Sequence, residues 1–210
     1  MIFFKAVVFL LFMIFFAGCN NAVCDISDVQ ATVVFDFRAD DEKPECRTCV
    51  FVQTQENAWK TAEITVFDLN SDYFWRVENP VLLSSKTGDW AGCTNLLGEN
   101  GEALSCGDYR IFYKNASGEE AEADFSISYP IDFLALSAAD FPKALERGSF
   151  SKKIAVYDEN GSLIFFAPLE NDSSSAVREK FVDSAFMRVC YVDNLKKYAC
   201  FMPPVSLSKN

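Results

Sequence analysis

The sequence predicts a mainly β protein, with an antiparallel β-sandwich over residues 28–130 and a small α+β unit over residues 131–210. Apolar and polar residues alternate from Val29 onward, which is the period of strands that are buried on one face. About seven such segments follow one another over roughly 100 residues, as in sandwiches and barrels. After Pro130, two segments of helical period alternate with two hairpin patterns, which predicts the α+β unit.

The first eighteen residues predict an export signal. A run of thirteen apolar or small residues at 6–18 follows Lys5 and precedes Asn20. A membrane-spanning helix needs about 20 such residues. The shorter run is typical of the hydrophobic region of a secretory signal peptide, so we expect residues 1–18 to be removed.

The motif that ends this run, Phe-Ala-Gly-Cys at 16–19, resembles the lipobox of bacterial lipoproteins, whose cysteine is acylated and becomes the first residue of the mature chain. The family usually has Leu where Phe16 stands, and relaxed lipoboxes with a bulky residue there are familiar in spirochaetes. The resemblance implies that Cys19 carries a palmitate-type lipid anchor and that residues 19–27 form a linker. Because Asn20 rather than Asp follows the cysteine, it also implies the outer membrane, on its periplasmic or surface face. An ordinary secreted protein and an uncleaved anchor are the alternatives.

The chain is strongly acidic, with a net charge of −11. Removal of the predicted signal takes away Lys5 and no acid, which brings the net charge to −12. Such a field repels phosphate backbones and anionic lipid surfaces. We therefore expect no nucleic-acid partner, and membrane contact only through the N-terminal lipid.

The strands of the sandwich are predicted in chain order from their alternation. The segment VVFDFR at 33–38 begins the series, and AEITVFD at 62–68 places Phe67 on the polar face with Glu63 and Thr65. Further strands are predicted at 49–53, 73–78, 81–85, 109–114 and 121–129. The last two form a hairpin around the Asn-Ala-Ser-Gly turn at 115–118.

This hairpin resembles the last two strands of bacterial immunoglobulin-like or fibronectin type III-like sandwiches. A Gly-x-Tyr segment opens the first strand, and Tyr109 stands where those domains have their tyrosine corner. The resemblance covers residues 28–130 and implies an immunoglobulin-like sandwich. It departs from true immunoglobulin domains because no cysteine lies two places after Tyr109. Another antiparallel sandwich or a barrel is the alternative, and the core tryptophan is Trp59, Trp75 or Trp90.

Two short helices and two hairpins are predicted for residues 131–210. The first helix begins near Ser137 or Asp140 and ends at Gly148. The second is capped by Asp172, and its apolar face is predicted to hold Val177, Phe181, Val182 and Ala185. The hairpins turn at 158–161 and 193–197. Because isolated hairpins are not stable, we expect the helices to cover one face of their sheet.

Seven cysteines remain beside Cys19, and an exported chain predicts disulfides among them. Two pairs are symmetric about a turn, so that a hairpin would bring them face to face: Cys93 with Cys106, and Cys190 with Cys200. Each bridge would contribute about 2–3 kcal/mol. Buried or exposed free thiols are the alternative for both pairs.

Cys46 and Cys49 form a Cys-x-x-Cys motif, which we interpret as a local structural bridge. The functional alternative is a periplasmic thiol–disulfide enzyme in which Cys46 has a low pKa. Cys24 is the predicted unpaired thiol, and its alternative is a bridge to Cys46 or Cys49.

The chain contains no histidine, which excludes the usual serine and cysteine triads and histidine-based metal sites. We therefore predict no catalytic residue, cofactor or metal site. The sequence favours a non-enzymatic binding or assembly module of the cell envelope, with a protein or glycan partner. Tyr73, Phe74 and Trp75 are the candidate contact patch, and core packing is the alternative for these aromatic residues.

The lipid anchor can be tested by substitution. We expect Cys19→Ser to abolish labelling by a palmitate analogue and to release the protein from the membrane fraction, because the acyl chains that hold it there are missing. Cys24→Ser is the matched control and should be labelled like the unchanged chain. Equal labelling of the Cys19→Ser variant would contradict the prediction.

Overall fold

The computed structural model describes residues 24–55, 57–85, 88–145 and 148–207. These residues are mainly strand, arranged in two sheets with few helices, so the predicted mainly β sandwich is confirmed. The signal peptide at 1–18 and Cys19 lie outside the described residues.

The described residues form thirteen strands and two short α-helices. The strands are β1 (Ile26–Asp36), β2 (Glu45–Thr54), β3 (Thr61–Asp68), β4 (Phe74–Val77), β5 (Val81–Ser85), β6 (Gly88–Leu96), β7 (Gly107–Asn115), β8 (Glu120–Ile127), β9 (Phe150–Tyr157), β10 (Leu163–Ala167), β11 (Phe186–Asp193), β12 (Tyr198–Phe201) and β13 (Val205–Ser206). The helices are α1 (Phe141–Leu145) and α2 (Ser174–Lys180), with 3-10 turns at Ala58–Lys60 and Ile131–Ala135. No helix among these described residues is long and apolar enough to cross a membrane.

The first sheet has nine strands in the order β10-β9-β11-β12-β1-β2-β6-β5, and β13 pairs with β11. The second sheet has the order β4-β3-β7-β8 and is antiparallel throughout. The inner faces of the two sheets enclose the main core, whose largest fully buried side chains include Phe35, Ile64, Tyr109, Ile111 and Tyr113. Each strand alternates between this core and solvent because successive side chains point to opposite faces.

The C-terminal strands extend the first sheet of the sandwich. Residues 131–207 contain the two predicted hairpins and two short helices, but β12 pairs in parallel with β1 from Val33 to Asp36. The N–H of Val33 donates to the Lys197 carbonyl (2.9 Å), and the N–H of Phe37 donates to the Phe201 carbonyl (2.9 Å). One continuous sheet therefore joins the two regions that the sequence analysis separates at residue 130.

Both helices cover the inner face of the first sheet. Phe141 of α1 is fully buried, and its ring lies 5.4 Å from that of Phe37 and 5.1 Å from that of Phe133. Val177 of α2 is buried in a second, smaller core with Ile154 and with other residues of β9, β11 and the C-terminal segment.

The second helix differs from its prediction at both ends. Ser173, not Asp172, is its N-cap and accepts a hydrogen bond from the Ala176 N–H (3.4 Å), while Asp172 forms an ion pair with Lys152. The helix ends at Lys180, so Val182 does not continue the apolar face and is 86% exposed.

A buried ion pair crosses the junction between the sandwich and the C-terminal strands. Arg188 on β11 reaches past β12 to Asp36 on β1 (2.5 Å), and both side chains are only about one-seventh exposed, at 14% and 13%. The guanidinium also donates to the carbonyls of Phe37, Phe201 and Met202 at 2.7–3.1 Å.

The second oxygen of Asp36 accepts from Arg47 on β2 (3.2 Å). Burial acts to raise the pKa of Asp36, but the hydrogen bonds and charges of Arg188 and Arg47 outweigh it and leave the pKa below its ordinary value. The carboxylate is therefore the stable form of Asp36 in the folded protein.

We expect Arg188→Ala to lower the free energy of unfolding by about 1.5–3 kcal/mol, because it leaves the partly buried Asp36 carboxylate with Arg47 as its remaining ion-pair partner. Urea titrations at pH 7 measure the effect. Arg38→Ala is the matched control: its ion pair with Glu45 is exposed on both sides, so the loss should stay below about 1 kcal/mol.

The stabilisation from Asp36 should also depend on pH. Because the pKa is lowered in the folded state, the contribution is present above the ordinary value of 3.8 and is lost as the pH falls through the folded pKa. The cost of Arg188→Ala should therefore shrink in acid, and an unchanged cost down to pH 2 would contradict the assignment.

Candidate functional site

The structure separates Cys46 from Cys49 and argues against a bridge between them. Both lie within β2, and an odd spacing of three places their side chains on opposite faces. Their Cα atoms are about 10 Å apart in an extended strand, whereas a disulfide needs less than about 7 Å. The structure therefore does not bring the two sulfur atoms of the predicted local bridge together.

Burial also makes these two thiols weak nucleophiles. Desolvation raises the pKa of Cys46 to about 11 and raises that of Cys49, where the charge of Arg47 offsets part of the effect. A catalytic thiol of the thioredoxin kind needs a lowered pKa at the start of a helix. Cys46 has neither property.

The strand register does not bring Cys190 and Cys200, the second predicted pair, face to face. The hairpin forms, but Cys190 lies opposite Phe201 and Cys200 lies opposite Tyr191. Directly opposed residues share a face, so the two sulfur atoms point to opposite sides of the sheet. Both are buried thiols.

The predicted hairpin between Cys93 and Cys106 does not form, because the intervening chain crosses between sheets. Cys93 lies on β6 of the first sheet, and Cys106 directly precedes β7 of the second. The Sγ of Cys106 contacts the Tyr129 carbonyl (3.5 Å), and both cysteines are thiols.

The alternative partners proposed for Cys24 are remote from it. Cys24 directly precedes β1, whose Ile26 lies opposite Thr54, whereas Cys46 lies opposite Phe35 and Cys49 opposite Thr32. At about 3.4 Å a residue, the cysteines are separated by at least about 25 Å along the ladder. Neither bridge can form in this register.

The outer face of the second sheet carries a partly exposed aromatic cluster. We call Phe67, Phe74 and Phe112 the aromatic surface. The ring of Phe67 lies 5.4 Å from that of Phe74 and 5.2 Å from that of Phe112. Phe74 is 57% exposed, although it belongs to a strand. The cluster lies outside because its neighbours Val66 and Ile111 occupy the inner positions of the same strands.

Ion pairs surround the aromatic surface. They join Arg76 to Glu63 (2.5 Å), Arg110 to Asp124 (2.6 Å) and Lys114 to Glu120 (2.9 Å). The hydrogen bond from Arg110 lowers the pKa of Asp124, so this carboxylate stays charged in mild acid. Between the rings and the rim lies a shallow depression of about 340 Å³.

Only one of the three aromatic residues predicted for a contact patch lies on this surface. Phe74 does, but the hydroxyl of Tyr73 donates to Glu99 (2.5 Å), a contact that raises the pKa of Tyr73. Trp75 points inward, where its indole N–H donates to the Leu97 carbonyl (2.7 Å) and its ring packs 6.3 Å from Tyr109. Phe74 and Trp75 are adjacent in a strand, so their side chains point to opposite faces of the sheet.

Phe67 and Phe112 were not predicted to belong to a contact surface. The sequence feature that could have identified them is a phenylalanine on the polar face of an alternating strand. Phe67 follows Glu63 and Thr65 on that side, and Phe112 follows Arg110. An aromatic residue that breaks such a polar face is either covered by another element or left partly open to solvent. Phe67 and Phe112 are half-buried, and Phe74 beside them is exposed.

No family model matches this chain, and it has no significant match among curated proteins or among solved structures. Within the described residues, no group of three or more Cys, Asp or Glu side chains is placed to hold a metal ion. The functional assignment therefore rests on the geometry of the aromatic surface.

Thiol reactivity tests the cysteine environments. We expect iodoacetamide at pH 8 to modify exposed Cys106 first and to leave Cys190 and Cys200 unmodified until the protein is unfolded. Burial raises the pKa of Cys190 to about 12 and raises that of Cys200 as well, so both lack reactive thiolate. Mass spectrometry with and without guanidinium gives the order. Rapid modification of native Cys46, or a bridge to Cys49, would contradict this account.

Proposed function

We propose that this protein is a non-enzymatic binding or assembly module of the bacterial cell envelope, attached to the membrane by lipid on Cys19. Its aromatic surface binds a protein partner. The observation that carries the proposal is the placement of Phe67, Phe74 and Phe112 together on a solvent-facing sheet, where burial against a partner would remove three rings from water.

The anatomy of this surface favours a protein over a glycan as the partner. Protein–protein interfaces combine an apolar, aromatic centre with a polar rim. The aromatic surface has such a centre, and its rim consists of Arg and Lys paired with carboxylates. These rim pairs are exposed, so they would set orientation and association rate more than affinity.

We also propose that residues 28–130 form an immunoglobulin-like module. The strand orders β1-β2-β6-β5 and β4-β3-β7-β8 correspond to A-B-E-D and C′-C-F-G of that fold. The hydroxyl of Tyr109, at the start of β7, donates to the Ser105 carbonyl (2.8 Å), which is the hydrogen bond of a tyrosine corner. Such modules commonly present recognition surfaces on a rigid sandwich.

The envelope location is supported by the signal and lipobox pattern at residues 1–19, and an outer-membrane position by Asn20. The rival function, a thiol–disulfide enzyme using Cys46 and Cys49, has less support. Its two thiols point to opposite faces of β2, and the pKa of Cys46 is raised where catalysis needs it lowered.

Site-specific photo-cross-linking tests the aromatic surface in intact cells. A photoreactive phenylalanine analogue at position 74 should yield one discrete adduct, because this side chain would lie at the centre of the interface. The same analogue at position 59 is the matched control, since Trp59 is 74% exposed but lies outside the surface. It should yield no discrete adduct.

A second substitution tests whether the adduct at position 74 depends on an intact aromatic surface. Phe112→Asp places a charge beside Phe67 and should reduce the position-74 adduct at least tenfold while the thermal transition stays cooperative. Equal adducts from positions 74 and 59, or an adduct that is insensitive to Phe112→Asp, would refute the proposed binding surface.

A further inference from the structure

The edge of β1 is only partly occupied. β12 pairs with β1 from Val33 onward, where the Val33 N–H donates to the Lys197 carbonyl (2.9 Å). Backbone groups in a strand alternate in direction, so those of Val29 and Ala31 point to the same side as those of Val33. In the described part of the chain, no strand pairs with this side of β1 before Val33.

A second unpaired edge faces the first. β8 is the last strand of the second sheet and pairs on one side with β7. The Asn115 N–H donates to the Glu119 carbonyl (3.0 Å). The odd-numbered residues of β8 therefore direct their backbone N–H and C=O groups toward β7, and the even-numbered residues direct theirs away from it. The backbone groups of Asp124 and Ser126 therefore point away from β7 and toward β1.

The two edges enclose a groove of about 450 Å³, which we call the edge groove. It is lined by residues 28–31 of β1, residues 124–126 of β8 and residues 195–197 of the turn before β12. Cα atoms of β1 and β8 approach within 8 Å, yet no ladder joins these strands in the ranges described. The open part of β1, residues 26–31, is about 20 Å long, which matches an extended segment of six residues.

The ends of the edge groove differ in charge. Lys196 and Lys197 lie at the end where β12 begins, and neither forms an ion pair within the described residues. Asp28 lies at the other end. An extended segment with an acidic residue near the lysines and a basic residue near Asp28 would complement both ends.

We propose that the edge groove binds an extended peptide segment of another protein as an added β-strand. Such a segment would continue the line of β12 along β1, an edge that already accepts one strand of this chain in parallel. Main-chain hydrogen bonds to Val29 and Ala31 would supply affinity, and the charged ends would set direction. Asp124 borders both sites, but none of the three phenylalanines of the aromatic surface lines the edge groove, so this inference does not depend on the function proposed above.

The test selects a random nine-residue peptide library, displayed on phage, against the purified full chain in mild detergent. In the free protein, the amides of Val29, Ala31, Asp124 and Ser126 should exchange rapidly with solvent. A selected peptide should slow the exchange of these amides at least tenfold, as measured by NMR. Selected peptides should carry an acidic residue at one end, and Lys197→Glu should weaken their binding at least tenfold.

Proline substitutions test the backbone contacts. Ser126→Pro and Ala31→Pro each remove a groove-facing N–H that takes no part in the existing ladders, so each should weaken peptide binding at least tenfold. Ile164→Pro is the matched control. It lies at the register shift of β10, on the far edge of the first sheet, and should leave binding unchanged. Thermal melting of each variant confirms folding, and the Lys197→Glu result remains decisive if a proline variant fails to fold.

Three outcomes would overturn the inference. The first is the absence of any selected peptide, or selected peptides that protect amides elsewhere. The second is slow exchange of Val29 and Ala31 in the free protein, which would mean that the groove is closed. The third is protection that rises with protein concentration alone, which would identify a second copy of this chain as the occupant.

Discussion

The contact between Arg188 and Asp36 is the constraint on which the rest of the structure depends. A carboxylate that is largely removed from water is stable only if hydrogen bonds and opposite charge replace its hydration. Arg188 supplies both, and it binds three carbonyls of the adjoining segments at the same time. The pair therefore holds β11, β12 and β1 in one register. If the C-terminal strands moved away from β1, the Arg188 guanidinium would lose its carboxylate partner.

That register determines where the edge groove, one of the two proposed binding surfaces, lies. Because β12 meets β1 only from Val33 onward, the upstream part of β1 keeps an open edge beside β8. The aromatic surface has a different origin: the inner positions of β3 and β7 are taken by the core, so Phe67 and Phe112 must lie outside. One surface thus results from backbone pairing and the other from side-chain alternation.

The predicted fold was most accurate where the signal is local. The hairpin turning at 115–118 and the one turning at 158–161 form as predicted, since alternation and turn residues act over a few positions. β6 was missed because Gly88 and Gly92 interrupt its pattern, although Gly92 is needed there: a Cβ atom would lie 2.1 Å from the Val50 carbonyl oxygen. Equal spacing about a turn could not reveal that Cys190 and Cys200 lie on opposite faces, or that no hairpin joins Cys93 and Cys106.

The sequence by itself determined the mainly β class, most strand positions, the acidic charge and the predicted export and lipidation signal, because each depends on composition or on neighbours within a few residues. Only the tertiary structure decided that β12 would pair in parallel with β1, that six cysteines would remain thiols, and that three phenylalanines from β3, β4 and β7 would meet on one face. These features depend on the register between strands that are distant in the chain. A shift of one residue in that register reverses every side chain, and the local pattern does not encode it.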